Sequence, residues 1–255
     1  MKISANLGFL WTELTLPEAI AAAKAAGFDA VECHWPYDVP TGDVTAALNT
    51  SSLKMLGLNT RRGDTTRGEN GLAALPGRDA DARAAIDEAI AYATAIGAQK
   101  VHVMPGFSAG PTAHKTFVEN LAYAADKAAP HNITILLEPL NRYDAPGYFL
   151  SRTEQAAAII ADVATPNVKL MFDCYHVQLM EGDLTNRLLA LMPLIGHIQF
   201  ASVPSRGAPD GGEVNYTHIF KVIAAEGYTD PIGAEYKPAG NTEPTLGWLQ
   251  AAQAI

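Results

Sequence analysis

Four oxygen-bearing side chains stand at or near the ends of four apolar runs in this chain. Glu138 closes ITILLE, Asp173 closes VKLMFD, Gln199 lies near the end of IGHIQF and Glu235 closes PIGAE. Apolar runs of this length, cut off by proline or polar residues, read as strands buried on both faces. Pro139 has no N–H to give a ladder, so the first run stops near Glu138. Three carboxylates brought close together repel, and their ionised form needs a compensating cation. A set of three carboxylates and one amide suits Mg²⁺ or Mn²⁺ rather than Zn²⁺, which draws more on His and Cys. A divalent ion holding the carbonyl and hydroxyl oxygens of an α-hydroxycarbonyl compound stabilises an enediolate. Two carboxylates flanking the substrate carbons can then remove and return a proton. Glu138 and Glu235, on non-adjacent strands, are the expected acid/base pair; Asp173 and Gln199 serve mainly to hold the metal. The reaction class is proton abstraction next to a carbonyl, as an aldose–ketose isomerisation or an epimerisation. Taken singly, each residue could instead cap a helix or pair with a base. Four on successive strand ends favour a shared site.

The elements that must position these groups alternate along the whole chain. Strands are expected at Ile3–Leu7, Asp29–His34, Lys54–Thr60, Lys100–Met104, near Ile133–Glu138, at Val168–Asp173, Gly196–Phe200 and Ile232–Glu235. Thr15 and Glu18 form a capping box ahead of EAIAAAKAA, which ends at Gly27. Further helices are expected over Asp43–Ser52, Asp79–Ile96, Thr112–Ala129, Thr153–Val163 (capped by Thr153 or Ser151), a segment broken near Gly182 and continuing through Leu191, Asn215–Glu226 and Thr242–Ala254. Residues 61–78, rich in glycine and charge and without a clean period, read as a long loop over the site, with a solvated excursion as the alternative. Eight strands alternating with helices imply parallel strands and right-handed crossovers. With no linker or composition break, the expectation is one α/β domain over residues 1–255, a closed (β/α)₈ TIM barrel. A doubly wound open sheet is the competitor, but Asn6-Leu7-Gly8-Phe9 after the first strand is no dinucleotide fingerprint.

Composition narrows the partners. The chain has 255 residues, 48% of them hydrophobic, enough for a sizeable core. A net charge of −9 without basic blocks disfavours nucleic acid and anionic membranes. No apolar run is long enough to span a bilayer, and the N-terminus does not read as a signal peptide. Cys33 and Cys174 lie in or beside expected strands and read as reduced thiols of a cytoplasmic protein.

The segments SANLGFLWTE, GFDAVECHWPYD, GENGLAALPGR, VENLAYAAD, LLEPLNRYDAPGYFL, FDCYHVQLMEGDLT, GHIQFASVPSRGAPDGGEVNY and GAEYKP, in this order across nearly the whole chain, resemble the hydroxypyruvate isomerase family of xylose isomerase-like barrels. The resemblance implies interconversion of hydroxypyruvate and 2-hydroxy-3-oxopropanoate. It places two proton-transfer glutamates on Glu138 and Glu235, and metal ligands on Glu138, Asp173, Gln199 and Glu235. The 2-oxotetronate isomerases are a close branch: KVHVMPG and YAADKAAPH lean towards it, whereas EPLNRYDAPGYFL leans towards hydroxypyruvate isomerase. Sugar 3-epimerases and apurinic endonucleases of this fold place His where Gln199 stands, which disfavours both. A neutral-ketose 3-epimerase and a non-catalytic sugar-acid binding barrel are the remaining readings. The resemblance implies a small hydroxy-oxo acid as partner; family members often form homo-oligomers.

Other residues fill in the expected pocket. His176 is expected to bind a substrate hydroxyl or carboxylate, or else to be a helix-start histidine bonded to backbone. Arg206 offers a fork for a carboxylate, Lys237 could do the same, and either could face solvent. Asp144, if it points inward, would bond a substrate hydroxyl. Glu213 is expected to orient its loop or a ligand, or else to sit at a helix N-terminus. Asn6, Asn59 and His102 could line the pocket or make buried hydrogen bonds, and His34 and Trp35 could form an apolar wall. His197 is expected to point away from the metal side, and Cys174 to fill space. Arg61 and Arg62 are further cation candidates if the long loop closes.

Overall fold

The computed structural model describes residues 1–255. Strands β1 (Ile3–Asn6), β2 (Ala30–Glu32), β3 (Gly57–Asn59), β4 (Lys100–His102), β5 (Thr134–Leu137), β6 (Val168–Asp173), β7 (Ile195–Phe200) and β8 (Ile232–Ala234) form one parallel sheet in the order β2-β1-β8-β7-β6-β5-β4-β3. Hydrogen bonds close the gap between β2 and β3. Val31 N–H donates to Lys54 O, Cys33 N–H to Gly57 O and Asn59 N–H to His34 O. The result is a barrel of eight parallel strands with helices outside, as expected for the (β/α)₈ class.

The helices are α1 (Leu16–Ala26), α2 (Thr41–Ser51), α3 (Asp79–Ile96), α4 (Gly110–Ala128), α5 (Thr153–Val163), α6 (Cys174–Met180), α7 (Leu184–Leu191), α8 (Tyr216–Ala225) and α9 (Leu249–Gln253). The Glu18 carboxylate reaches back to the Thr15 N–H at 2.9 Å and hydroxyl at 2.7 Å, as the capping box predicts. Thr153 and Ser151 do not cap α5. Thr153 is the first residue of that helix, and its N–H (2.8 Å) and hydroxyl (3.0 Å) donate to Glu181. A distant carboxylate thus takes one of the orphan donors of the first turn, in place of a local cap. The expected helix over Thr242–Ala254 is also broken, into a 3₁₀ turn (Glu243–Thr245) and α9. Pro244 and Gly247 interrupt it, and Trp11 draws the first part aside. Its backbone N–H donates to Thr242 Oγ1 at 2.9 Å and its indole N–H to Glu243 Oε1 at 2.7 Å.

The apolar core lies between the barrel and its helices. Phe200 is one of its anchors, fully buried, with ring centres 4.9 Å from Phe220, 5.5 Å from Trp248 and 5.6 Å from Tyr216. Phe200→Ala is expected to cost about 3–5 kcal/mol by leaving a cavity among these rings, read as a lower midpoint in urea with an unchanged slope.

Loop 61–78 is tied down in its middle. Gly71 (φ +118°) bridges Pro105, and a Cβ there would meet Met104 O and Gly106 N at 2.6 Å. Leu72, Ala73 and Ala74 are buried behind it. Only part of this loop faces the barrel mouth: Arg62 and Asn70 line the cavity there, while Arg61 turns outward to Glu88 at 2.7 Å.

Candidate active site and metal centre

The carboxyl ends of the strands open into a cavity of about 360 Å³. Glu138 follows the last residue of β5, Asp173 ends β6, and Glu235 follows the last residue of β8. After a register shift between Leu170 and Met171, Asp173 pairs with Gln199, and Gln199 with Gly233. The strand ends therefore sit at matching heights. Gly233 makes room for this layer, since a Cβ there would meet Glu32 Oε1 at 2.0 Å and Gln199 Cγ at 2.9 Å.

Glu138, Asp173, Glu235 and His176 each bring one ligand atom to a common point, all within 4.8 Å of one another. Gln199 stands beside them, its Nε2 at 3.4 Å from Glu235 Oε1. Glu138 Oε1, Asp173 Oδ2 and Gln199 Oε1 are buried and accept no hydrogen bond. Buried oxygens of this kind ordinarily find a partner. Glu138 Oε1 and Asp173 Oδ2, converging with the third carboxylate, Glu235, match the donor set of a hard divalent cation, whereas Gln199 turns its Nε2 towards Glu235 and Glu32. The residues could therefore hold a metal ion.

His176 plays a different part from the oxygens. Its Nδ1 lies 3.0 Å from the backbone N–H of Asn141, which can only donate. In the neutral ring Nδ1 is then the acceptor and Nε2 carries the hydrogen. Burial, aided by Arg206, pushes His176 down to about 3, so the ring is neutral. Its Nε2 lies 3.6 Å from Asp173 Oδ2 and 3.9 Å from Glu138 Oε1, with no partner of its own. It presents a donor, not a lone pair, to the centre.

The two glutamates have opposite surroundings. Burial pushes Glu235 up, but Arg206 and a hydrogen bond from His34 outweigh it and hold the carboxyl down at about 2. Its Oε1 accepts from Asn6 Nδ2 at 2.9 Å and lies 3.1 Å from His34 Nε2, and its Oε2 pairs with Arg206. Burial and the charges of Glu235 and Asp173 push Glu138 well above the usual carboxylate range. Asp173 rises to about 7, from burial first and then Glu235. Environments that push two carboxyls apart are how one site provides an acid and a base.

Arg206 reaches inward from the loop after β7, in the left-handed region (φ +55°). Its guanidinium lies between the rings of Phe9 (4.8 Å) and Tyr175 (4.9 Å). Asp144 does point inward: its Oδ2 accepts from Tyr175 OH at 2.9 Å and Asn141 Nδ2 at 3.0 Å, with Arg206 Nη1 at 3.4 Å. Lys237 lines the mouth and is exposed.

The cavity thus collects Glu138, Glu235, His176, Arg206, Asp144 and Lys237, with Asn59 and His102 on its wall. Glu213 lies outside it, bonded to Gln178 at 3.1 Å. His34 is more than a wall, since it touches Glu235. His197 does not point away from the Gln199 side. Residues two apart in a strand share a face, and His197 faces the barrel interior one layer below, 2.7 Å from Glu32 Oε2. Sequence reasoning passed over Glu32, which also accepts from Gln199 Nε2 at 3.3 Å. A carboxylate inside the buried run Ala30–Cys33 was the available signal. Cys33 and Cys174 are buried free thiols.

A closed parallel barrel with three carboxylates and an amide at its carboxyl mouth defines a class, and comparison places the chain in it. Residues 20–253 match the family model described as the xylose isomerase-like TIM barrel, and the chain belongs to that family. Among its relatives, the 2-oxo-tetronate isomerase of Cupriavidus necator is 43% identical over 253 residues, covering 98% of this chain and 97% of that protein. The hydroxypyruvate isomerase of Escherichia coli is 39% identical over 254 residues, covering 98% of each. A crystal structure from Brucella melitensis, titled as an AP endonuclease of family 2, superimposes with a TM-score of 0.95 at 39% identity over 98% of each chain.

Proposed function

We propose that this protein is an isomerase interconverting hydroxypyruvate and 2-hydroxy-3-oxopropanoate, with the four-carbon 2-oxotetronate as the alternative substrate. The observation that carries the reading is the pair Glu138 and Glu235, oppositely biased and facing one cavity sized for a small molecule. The names of the two relatives supply the substrate class. An overall charge of −9 without basic blocks disfavours nucleic acid as the substrate.

Glu235, kept ionised by Arg206, Asn6 and His34, takes a proton from the hydroxymethyl carbon. The electron pair moves into the carbon–carbon bond, and the ketone oxygen becomes an enediolate oxygen. Glu138, kept protonated by burial, gives its proton to the former carbonyl carbon, and the hydroxyl proton on the other carbon passes to the enediolate oxygen, leaving an aldehyde on one carbon and a hydroxyl on the other. The reverse direction exchanges the two roles. The His176 Nε2–H donates to the enediolate oxygen, and Asp144 accepts from a substrate hydroxyl. Glu138, Asp173, Gln199 and Glu235 would hold a divalent ion, Mg²⁺ or Mn²⁺. Such an ion supplies the charge that stabilises the enediolate.

The experiment offers hydroxypyruvate and 2-oxotetronate side by side to purified protein, with Mg²⁺ or Mn²⁺ and after chelation. Turnover of one acid is expected and selects the substrate. Turnover of neither, with a neutral ketose epimerised instead, would overturn the reading.

A further inference from the structure

An acid substrate must keep its own carboxylate away from Glu138, Asp173 and Glu235. Of the three cations lining the cavity, Arg206 is already matched, by Glu235, by Asp144 at 3.4 Å and by Asp173 at 3.8 Å. Arg62 is held in another way. Its Nε donates to Asn70 Oδ1 at 2.8 Å, and its guanidinium lies 4.8 Å from the ring centre of Trp35. The Trp35 indole is itself anchored by donating to Thr60 O at 3.1 Å. The Arg62 backbone is pinned as well, its carbonyl accepting from Gly71 N–H at 2.8 Å. Both side-chain partners of Arg62 are neutral. The guanidinium keeps its full charge and its terminal N–H groups, in the fork geometry that fits a carboxylate. Lys237 has only a loose contact, 5.8 Å from the Phe9 ring, and a flexible stem.

We propose that Arg62, clamped by Asn70 and Trp35, is the residue that binds the substrate's carboxylate and so selects hydroxy-oxo acids over neutral sugars. This rests on the isomerase reading for its substrate, but not for its anion site. The carboxylate seats against the fork on the β3 side of the mouth, and the reacting carbons extend from it towards Glu138 and Glu235. The clamp has already fixed the guanidinium before substrate arrives, so little side-chain freedom is lost on binding.

The test compares wild type with Arg62→Met, Arg62→Lys, Asn70→Ala and Lys237→Met in two measurements. The first is steady-state kinetics on the better acid. Arg62→Met is expected to raise KM by roughly 10–100-fold, the worth of a hydrogen bond to a charged group, with a much smaller fall in kcat. Arg62→Lys should recover part of this, Asn70→Ala should fall between, and Lys237→Met should change KM less than Arg62→Met. The second is calorimetric binding of D-glycerate, an acid with no carbonyl to isomerise. Wild type should bind it, and Arg62→Met should bind it at least tenfold more weakly with the same melting temperature. An acid KM within twofold of wild type in Arg62→Met, or unchanged glycerate affinity, overturns the assignment even if the wild type is a good isomerase. Absence of glycerate binding by wild type overturns it too. Glycerate binding that depends on Arg62, in a protein that isomerises neither acid, would keep the anion site and remove the reaction.

Discussion

Glu138→Gln and Glu235→Gln are each expected to lower kcat for the acid by about 10³-fold, within the usual range for removing one proton-transfer group. Either loss should stop both directions, because each carboxyl gives in one direction what it takes in the other. The two variants should differ in stability. Glu235 faces Arg206, whose guanidinium is nearly enclosed, and its ionised form is the favoured one. Replacing it by a neutral amide leaves that cation short of a counter-charge, at a cost on the order of 1–3 kcal/mol. Glu138 is buried beside like charges with an unpartnered Oε1. Glu138→Gln is therefore expected to leave the metal-free protein as stable as wild type or slightly more so. Thermal melts of both variants after chelation measure this contrast. A Glu138→Gln protein that melts well below Glu235→Gln would contradict the assignment of opposite charge states.

Binding of Mg²⁺ or Mn²⁺ is expected to release protons below about pH 7 and to tighten as pH rises towards it. Asp173 is raised to about 7, so the metal-free protein holds a proton there that a cation must displace. One displaced proton gives about a tenfold change in apparent affinity per pH unit below 7, flattening above it. Calorimetry at pH 5.5, 6.5 and 7.5, in buffers of different ionisation enthalpy, counts the protons directly. Asp173→Asn should weaken binding and shallow the slope. A flat affinity from pH 5.5 to 7.5 would mean that the cluster is already ionised without metal.

The sign for folding follows from the same groups. A carboxyl raised in the fold contributes stability that is present below its unfolded value and lost as pH rises through its folded one. Asp173 therefore destabilises the chelated protein as pH climbs through about 7. His102 and His176, both lowered to about 3 mainly by burial, act in the opposite sense. The unfolded chain protonates them below about 6.5, so their share is lost as pH falls from there towards 3.

The barrel and the positions of its acidic residues were legible because strand ends carry strong local signals. Pro139 marks the end of β5, and β6 has the expected bounds of Val168 and Asp173. Helices α3 and α5 also have the bounds their apolar period predicts. What escaped reading depends on contacts distant in sequence. Glu181 takes the place of a cap on α5, and Trp11 diverts the segment ahead of α9. Strand β3 is shorter than its apolar run: its ladder with β4 covers only Gly57–Asn59, although hydrogen bonds to the β2 segment reach back to Lys54. The site was readable where a residue ends a strand, as Glu138, Asp173 and Glu235 do. It was not readable where one side chain fixes another. His34 and Asn6 on Glu235, Asn141 on His176 and Glu32 on Gln199 each join residues far apart in the chain. His197 and Gln199 stand two residues apart, the full period of a strand, so both face the barrel interior.

The most direct measurement is an NMR assay of hydroxypyruvate carrying two deuterons on its hydroxymethyl carbon, with wild-type protein and Mg²⁺. Proton transfer through an enediolate predicts a product with one deuteron left on that carbon. The neighbouring carbon should carry a solvent-derived hydrogen delivered by Glu138, not the transferred deuteron, and no product should form with Glu138→Gln or Glu235→Gln. A product keeping both deuterons on the original carbon, or turnover undiminished in the two variants, would contradict a glutamate pair acting on the carbon–hydrogen bond.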